Sequence, residues 1–148
     1  MTKIVPLLSI LLLTACGDTQ QASYMITDAR HSLTLSRQQN IAGGEWTSEL
    51  IVAHVPDCQR RHALPALTGD KVKLDVYRPE PGVLILNHGK NWYVVETMSC
   101  RFQQFKTPPP EPGDLIGGFL MKDGKLEYKS RETAAGAVSP APTSATRP

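Results

Sequence analysis

Residues 71–97 read KVKLDVYRPEPGVLILNHGKNWYVVET, and this stretch decides the fold class. Its first part alternates Val72, Leu74 and Val76 with polar residues, a period of two that is typical of a strand with one buried face. Two turn-rich segments, at 78–82 and 87–91, each precede a further apolar run. The stretch therefore predicts a three-stranded antiparallel meander.

Shorter runs on both sides of the meander show the same alternation. Leu33 and Leu35 share one face within 31–37, and the run 46–55 has apolar residues on both faces. Near the other end of the chain, Lys122-Asp123-Gly124-Lys125 contains an Asp-Gly pair that favours a type I′ turn between two strands. No helical period is visible, so the pattern predicts an all-β protein.

The strand pattern extends over residues 31–130, which we expect to form a small antiparallel β-sandwich or barrel of about six or seven strands. Residues 16–30 are polar and without a clear period, and we interpret them as a flexible tether. Residues 131–148 are mostly Ala, Pro, Ser, Thr and Gly, which predicts a disordered tail. The Pro-rich segment 107–113 favours a stiff connection between strands over a peptide docking motif.

Length and charge restrict the possible partners. The chain has 148 residues, enough for one domain, and a formal net charge of +2. It contains no long basic run that would follow a phosphate backbone. We therefore expect no nucleic-acid partner.

The first residues have the pattern of an export signal. Lys3 precedes an apolar run from Ile4 to Leu13 that is too short to span a bilayer. The following Leu13-Thr14-Ala15-Cys16 resembles the lipobox of bacterial lipoproteins. This resemblance implies that residues 1–15 are removed and that Cys16 carries acyl chains such as palmitate, which anchor the protein to a membrane. The alternative is an ordinary secretory signal with a chance cysteine.

The residue that follows Cys16 indicates which of the two bacterial membranes would hold the lipoprotein. In the sorting rule of enteric lipoproteins an aspartate at that position retains the protein in the inner membrane, and here the residue is Gly17. The resemblance therefore favours the outer membrane, facing the periplasm, over the inner membrane. The segments 76–83 and 89–94 also resemble small proteobacterial lipoproteins in general style.

The chain has three cysteines. Because the resemblance assigns Cys16 to lipid, Cys58 and Cys100 remain as a pair in an oxidising compartment, and we expect a disulfide between them. Two buried free thiols are the alternative.

The histidines do not have the spacing of a metal site. His31, His54, His62 and His88 lie on different predicted strand ends and loops, without i,i+2 or i,i+4 pairing, so we expect neither a metal nor a cofactor. The motifs of serine, cysteine and zinc hydrolases do not occur. His54 and Asp57 can approach each other, although the sequence identifies no nucleophile beside them.

Two surface sites are candidates for ligand contact. Arg60, Arg61 and Arg101 form a possible anion-binding cluster if the disulfide brings them together, the alternative being solvated loop charges. Tyr77 and Tyr93 form a possible stacking surface for a glycan or peptide.

The tryptophans are assigned to the interior. Trp46 and Trp92 are interpreted as core residues, and alternation places Trp92 and Tyr93 on opposite faces of one strand.

These observations favour a non-catalytic, lipid-anchored binding or scaffolding module of the cell envelope, with an envelope protein or the cell wall as partner. Lysozyme inhibitors include small disulfide-linked β-barrel lipoproteins, so inhibition of a wall-degrading enzyme is one alternative, although the Ser-Gly-x-x-Tyr motif associated with that group is not found. The other alternative is an envelope hydrolase that uses His54 or His62 with a nearby carboxylate.

Overall fold

A computed structural model of the protein describes residues 17–131. The predicted signal segment, the predicted lipidation site Cys16 and almost all of the predicted C-terminal tail lie outside these residues. The described chain forms ten strands: β1 (Asp18–Asp28), β2 (His31–Gln39), β3 (Trp46–His54), β4 (Cys58–Ala63), β5 (Lys73–Glu80), β6 (Val83–His88), β7 (Asn91–Glu96), β8 (Arg101–Phe105), β9 (Asp114–Lys122) and β10 (Lys125–Ser130). Within residues 17–131 no helix has the length and apolar character needed to cross a bilayer.

The strands form two antiparallel sheets, which confirms the all-β prediction and gives the sandwich rather than the closed barrel. One sheet has the order β1-β2-β3-β4, and the other has the order β10-β9-β5-β6-β7-β8. The predicted meander is the β5-β6-β7 unit, and Val72 just before β5, together with Leu74 and Val76 within it, is at most 5% exposed. The Pro-rich segment connects β8, at one edge, back to β9 beside β5.

The strand count and the tether prediction were wrong. The structure has ten strands rather than six or seven, and the three that the sequence did not predict, β1, β4 and β8, consist mostly of exposed residues. Residues 18–28, expected to be a tether, pair with β2 from Asp18↔Gln39 onward. β1 has a weak period of two, because Ala22, Tyr24 and Ile26 face inward. Pairing with β2 stabilises this segment as a strand.

The core lies between the sheets, and its largest fully buried side chain is an arginine. Arg37 is 1% exposed and lies over the Trp46 ring, with its Cζ 4.6 Å from the ring centroid. Its guanidinium donates to the Ser48 hydroxyl at 3.3 Å and to the Gly69 carbonyl, while the Trp46 indole donates to Asp70 at 3.2 Å. Burial lowers the pKa of Arg37, and the charge of Asp70 opposes this shift.

The two sheets are held together at both lateral edges. Cys58, at the start of β4, is bonded to Cys100, just before β8, as predicted. On the other side, the Gln20 side chain of β1 donates to the Gly124 carbonyl in the β9–β10 turn at 3.2 Å. The strand registers give the sandwich two ends. We call the end with Gly17, loop 40–45 and turns 89–90 and 123–124 the proximal end, and the end with turns 29–30, 55–57, 81–82 and 97–100 the distal end.

Candidate functional site

The distal end opens into a cleft between the two sheets. Its volume is about 650 Å³, which is within the range of ligand pockets. We call it the distal cleft. Four separate parts of the chain line it, and the lining residues are Tyr24, Met25, Ile26, Thr27, His31, His54, Arg78, Pro81, Gly82, Val83, Leu84, Thr97 and Met98.

The wall from the six-stranded sheet is fixed by hydrogen bonds. Gly82 has a φ of 82°, a left-handed conformation that glycine adopts without steric cost and that turns β5 into β6. Its carbonyl accepts from the backbone N–H of Thr97 at 2.8 Å and from the Thr97 hydroxyl at 3.2 Å. The β5–β6 turn is therefore held against the end of β7.

The opposite wall is the end of β1. The pairing of β1 with β2 shifts register between Met25 and Asp28, which is a β-bulge or irregularity. Bulges bend a strand and change the direction of its side chains. Because β1 is the terminal strand of its sheet, its second edge has no partner strand within that sheet.

The entrance of the distal cleft is apolar and exposed. Met25 is 60% exposed, Met98 is 57% exposed, and Val55 at the same end is 43% exposed. Large apolar side chains at this exposure are informative when they are grouped around a concavity. Methionine is flexible and polarisable, so methionine surfaces adapt to partners of different shape.

The inner part of the distal cleft carries a polar contact. The Arg78 guanidinium of β5 donates a hydrogen bond to the Tyr24 hydroxyl of β1. Tyr24 is 8% exposed and stacks on Tyr128 with ring centroids 4.8 Å apart. This contact connects the two sheets beneath the apolar entrance.

Two histidines form the side of the distal cleft. His31 and His54 are directly opposite in the β2–β3 register, and their ring centroids are 4.5 Å apart. His54 Nδ1 lies 3.3 Å from Asp57 Oδ2, a distance compatible with an ion pair but without hydrogen-bond geometry. Among residues 17–131, neither His31 Nε2 nor His54 Nδ1 has a hydrogen-bond partner, although both atoms are buried. A ligand or water commonly satisfies such atoms.

The environment of His31 disfavours its charged form. Burial is the largest cause that lowers its pKa below the ordinary value of 6.5, and a positive charge on His54 acts in the same direction. Asp28 acts in the opposite direction. His31 is therefore a neutral donor and acceptor near pH 7.

The predicted anion cluster does not form as a triad. Arg60 and Arg101 line one small pocket of about 270 Å³, and Arg101 lies 3.9 Å from Glu96. Arg61 points to the other face of β4 and pairs with Glu49 at 3.1 Å. The prediction was wrong for Arg61 because consecutive residues of a strand project to opposite faces.

The predicted stacking surface was wrong at Tyr93. Tyr93 is 3% exposed and stacks on Phe102 in the core, with ring centroids 5.2 Å apart, and its burial raises its pKa. Trp92, expected in the core, is only partly buried, and its ring centroid is 5.8 Å from that of Tyr77. The outward aromatic pair is therefore Tyr77 and Trp92. Trp46, at 8% exposed, is buried as predicted.

His62, which was a candidate for the hydrolase alternative, makes contacts within the fold. A nitrogen of His62, Nε2, is hydrogen-bonded to the Cys100 carbonyl at 3.0 Å, and its ring stacks on Phe102. Over residues 17–131 no three His, Cys, Asp or Glu side chains are grouped so that they could hold a metal ion.

Sequence reasoning missed Met25, Met98 and His31 as members of one site. Their signal was weak, because Met25 and His31 lie on two neighbouring strands of one sheet while Met98 lies in a turn of the other sheet. Comparison with known proteins adds no relative: the chain matches no protein-family model, no curated protein and no solved structure.

Proposed function

We propose that this protein is a lipid-anchored, non-catalytic binding module of the bacterial cell envelope, with the outer membrane as the favoured location. In this proposal the distal cleft receives an apolar segment of an envelope protein. The observation that carries the proposal is the open cleft of about 650 Å³ with two methionines more than half exposed at its entrance. An exposed apolar surface of this kind lowers the solubility of a protein unless a partner covers it.

Export is supported by the covalent structure. The bond between Cys58 and Cys100 joins the two sheets, and disulfides of this structural kind persist in oxidising compartments such as the periplasm. Anchoring is supported by the resemblance of residues 13–16 to a lipobox. With three cysteines in the chain, the disulfide leaves Cys16 as the one thiol available for lipid.

The shape of the distal cleft favours an extended segment. Its β1 wall is an unpaired sheet edge, and a partner strand can add to such an edge through main-chain hydrogen bonds. The apolar entrance then provides contacts for alternate side chains, while Arg78 and His31 provide polar contacts.

Two measurements test anchoring and binding separately. Cells that express the full chain are labelled with radioactive palmitate, and we expect label in the membrane fraction for the native chain and none for Cys16→Ser. An absence of label in the native chain would contradict the anchor while leaving the cleft untouched.

Binding is tested in intact cells with a photo-crosslinking residue in place of Met98, and with the same residue in place of Lys90 at the proximal end as control. We expect the crosslinker at position 98 to capture a specific envelope protein that the crosslinker at position 90 does not capture. If the captured protein is a wall-degrading enzyme, the binding function becomes inhibition. Identical adducts at both positions would contradict a binding site in the distal cleft.

A second candidate is an envelope hydrolase, which one observation favours. His54 Nδ1 lies 3.3 Å from Asp57 Oδ2 beside the distal cleft, close enough for a small rotation to form the hydrogen bond by which a carboxylate orients a general base. Both cysteines of residues 17–131 are consumed by the disulfide, so a thiol nucleophile is excluded there. Release of fragments from purified cell wall by the native chain, lost in His54→Ala and retained in His88→Ala, would favour this candidate over binding.

A further inference from the structure

The start of β1 fixes the position of the domain relative to its anchor. Cys16 is joined to Gly17 by one peptide bond, and β1 begins at the next residue, Asp18. Consecutive Cα atoms are about 3.8 Å apart, so the chain between Cys16 and Asp18 spans at most about 8 Å. A lipid on Cys16 therefore holds the proximal end at the membrane.

Gly17 lies against loop 40–45. A Cβ added to Gly17 would be 2.5 Å from the Gln39 carbonyl oxygen and 3.1 Å from that of Asn40. The chain thus leaves the lipid attachment point in direct contact with the residues that begin this loop. Whatever surface is close to Cys16 is also close to the tip of loop 40–45.

The tip of that loop is apolar. Ile41 is 62% exposed, which is the largest exposure among the large apolar side chains of residues 17–131. A hydrogen bond of 2.9 Å from the Gly44 N–H to the Ile41 carbonyl closes the turn. The backbone is therefore held so that Ile41 remains at the surface.

Cations accompany Ile41 at the proximal end. Lys122 and Lys125 are exposed and flank the β9–β10 turn, which the Gln20 side chain joins to β1. Acidic groups are interspersed, with Asp18 and Asp123 nearest in sequence to these elements. A mixed surface with an exposed isoleucine suits the phospholipid headgroup layer, which offers phosphates to lysines and an acyl boundary to an apolar side chain.

We propose that the proximal end rests on the phospholipid surface, with Ile41 inserted at the boundary between headgroups and acyl chains. This inference rests on the proposed lipidation of Cys16. It directs β1 away from the membrane, so residues 24–27 of the distal cleft lie about 20–30 Å along β1 from Asp18 at about 3.3 Å per residue. The proposed partner then meets the protein at the end that faces away from the membrane.

The test uses the full chain in cells, with a benzophenone amino acid in place of Ile41 or, as control, of Ala29. Ala29 is exposed in the β1–β2 turn at the distal end and does not line the distal cleft. After irradiation, phospholipid adducts are measured by mass spectrometry. We expect lipid adducts at position 41 to exceed those at position 29 by about tenfold or more. Transfer of one apolar side chain of this size out of water shifts an equilibrium by that order.

A spacer variant provides an independent control. A Gly/Ser segment of 20 residues inserted between Gly17 and Asp18 spans about 25 Å and lets the domain leave the surface. We expect it to retain lipidation and to lose most of the lipid adduct at position 41. An adduct that persists with the spacer would show that position 41 reaches phospholipid without the short connection to Cys16, and would contradict an orientation set by the anchor.

The outcomes separate this inference from the proposed function. Palmitate incorporation is measured in the same samples. Lipidated protein whose position 41 captures no phospholipid, or no more than position 29, would overturn the orientation and leave the anchor intact. Absence of palmitate would overturn the anchor and the orientation together.

Discussion

The imidazole rings of His31 and His54 are cross-strand neighbours, with centroids 4.5 Å apart and ring planes inclined by 53°. They connect the distal ends of β2 and β3 at the side of the distal cleft. His31 is partly buried, which disfavours a charge on its ring and lowers its pKa, and a positive charge on the neighbouring His54 acts in the same direction.

We expect the protein to lose stability as the pH falls below about 6.5. Burial lowers the pKa of His31 in the folded state, so over this range the unfolded chain binds more protons. The free energy of unfolding therefore decreases from about pH 6.5 down through the lowered pKa of His31. Urea unfolding between about pH 7.5 and pH 5 measures it.

The matched variants for this pH effect are His31→Phe and His88→Gln. His31→Phe keeps a ring of similar size without a titrating group, so the pH dependence should become smaller. His88 lies at the proximal end, away from the pair, and His88→Gln should keep the native dependence. An unchanged dependence in His31→Phe would contradict the assignment.

The disulfide should account for a large part of the stability. Cys58 and Cys100 are separated by 42 residues, and closing a loop of that length stabilises the folded state by about 4 kcal/mol on the chain-entropy model. We expect reduction, or the double variant Cys58→Ala with Cys100→Ala, to lower the free energy of unfolding by an amount up to this value. Denaturant titration with and without reductant measures it, and reductant should not affect the double variant.

The sequence predicted the strands that have one apolar face. Seven of the ten strands were predicted from alternation or from apolar runs between turns, the Asp-Gly and Asn-His-Gly turns specify hairpins, and Asp123 and Gly124 have φ of 50° and 75° as a type I′ turn requires. β1, β4 and β8 were missed because pairing along sheet edges stabilises strands whose side chains remain mostly in water.

The site was less predictable than the fold. In the run 92–95 both faces carry apolar residues, so alternation did not decide whether Trp92 or Tyr93 is buried. Pairing of Tyr93 with fully buried Leu86 decides it. The distal cleft combines four distant segments, and their meeting depends on how one sheet packs on the other, which no local pattern contains.

Arg37→Ala should be strongly destabilising. The variant removes a side chain that is 1% exposed, leaves the Ser48 hydroxyl and the Gly69 carbonyl without its hydrogen bonds, and opens space beside Trp46. We expect a loss of about 3 kcal/mol in the free energy of unfolding. The control is Arg30→Ala, whose exposed pair with Asp28 should contribute little because solvent screens it. Equal losses in the two variants would contradict a stabilising role for the buried arginine.

Gly113→Ala tests the connection from β8 to β9. Gly113 has a φ of 90°, and an added Cβ would collide with the backbone of Pro79 in β5. Gly43→Ala is the control, because Gly43 has a φ of 77° but open space around the Cβ position. We expect a loss of about 1 kcal/mol for Gly43→Ala from conformation alone and about 2–4 kcal/mol for Gly113→Ala from conformation and collision. Thermal unfolding of both variants measures the difference, and similar melting temperatures would show that β5 moves to accommodate the Cβ.

Replacing the methionines at the entrance of the distal cleft should separate binding from folding. Met25 and Met98 are exposed, so the double variant Met25→Gln, Met98→Gln should change the free energy of unfolding by less than about 0.5 kcal/mol. Loss of two apolar contacts should nevertheless reduce capture of the envelope partner about tenfold or more. Amine-reactive crosslinking in intact cells measures this capture. Ile41→Gln removes an equally exposed apolar side chain at the proximal end and should retain capture. If Ile41→Gln loses the partner and the methionine variant keeps it, the proximal end rather than the distal cleft is the binding surface.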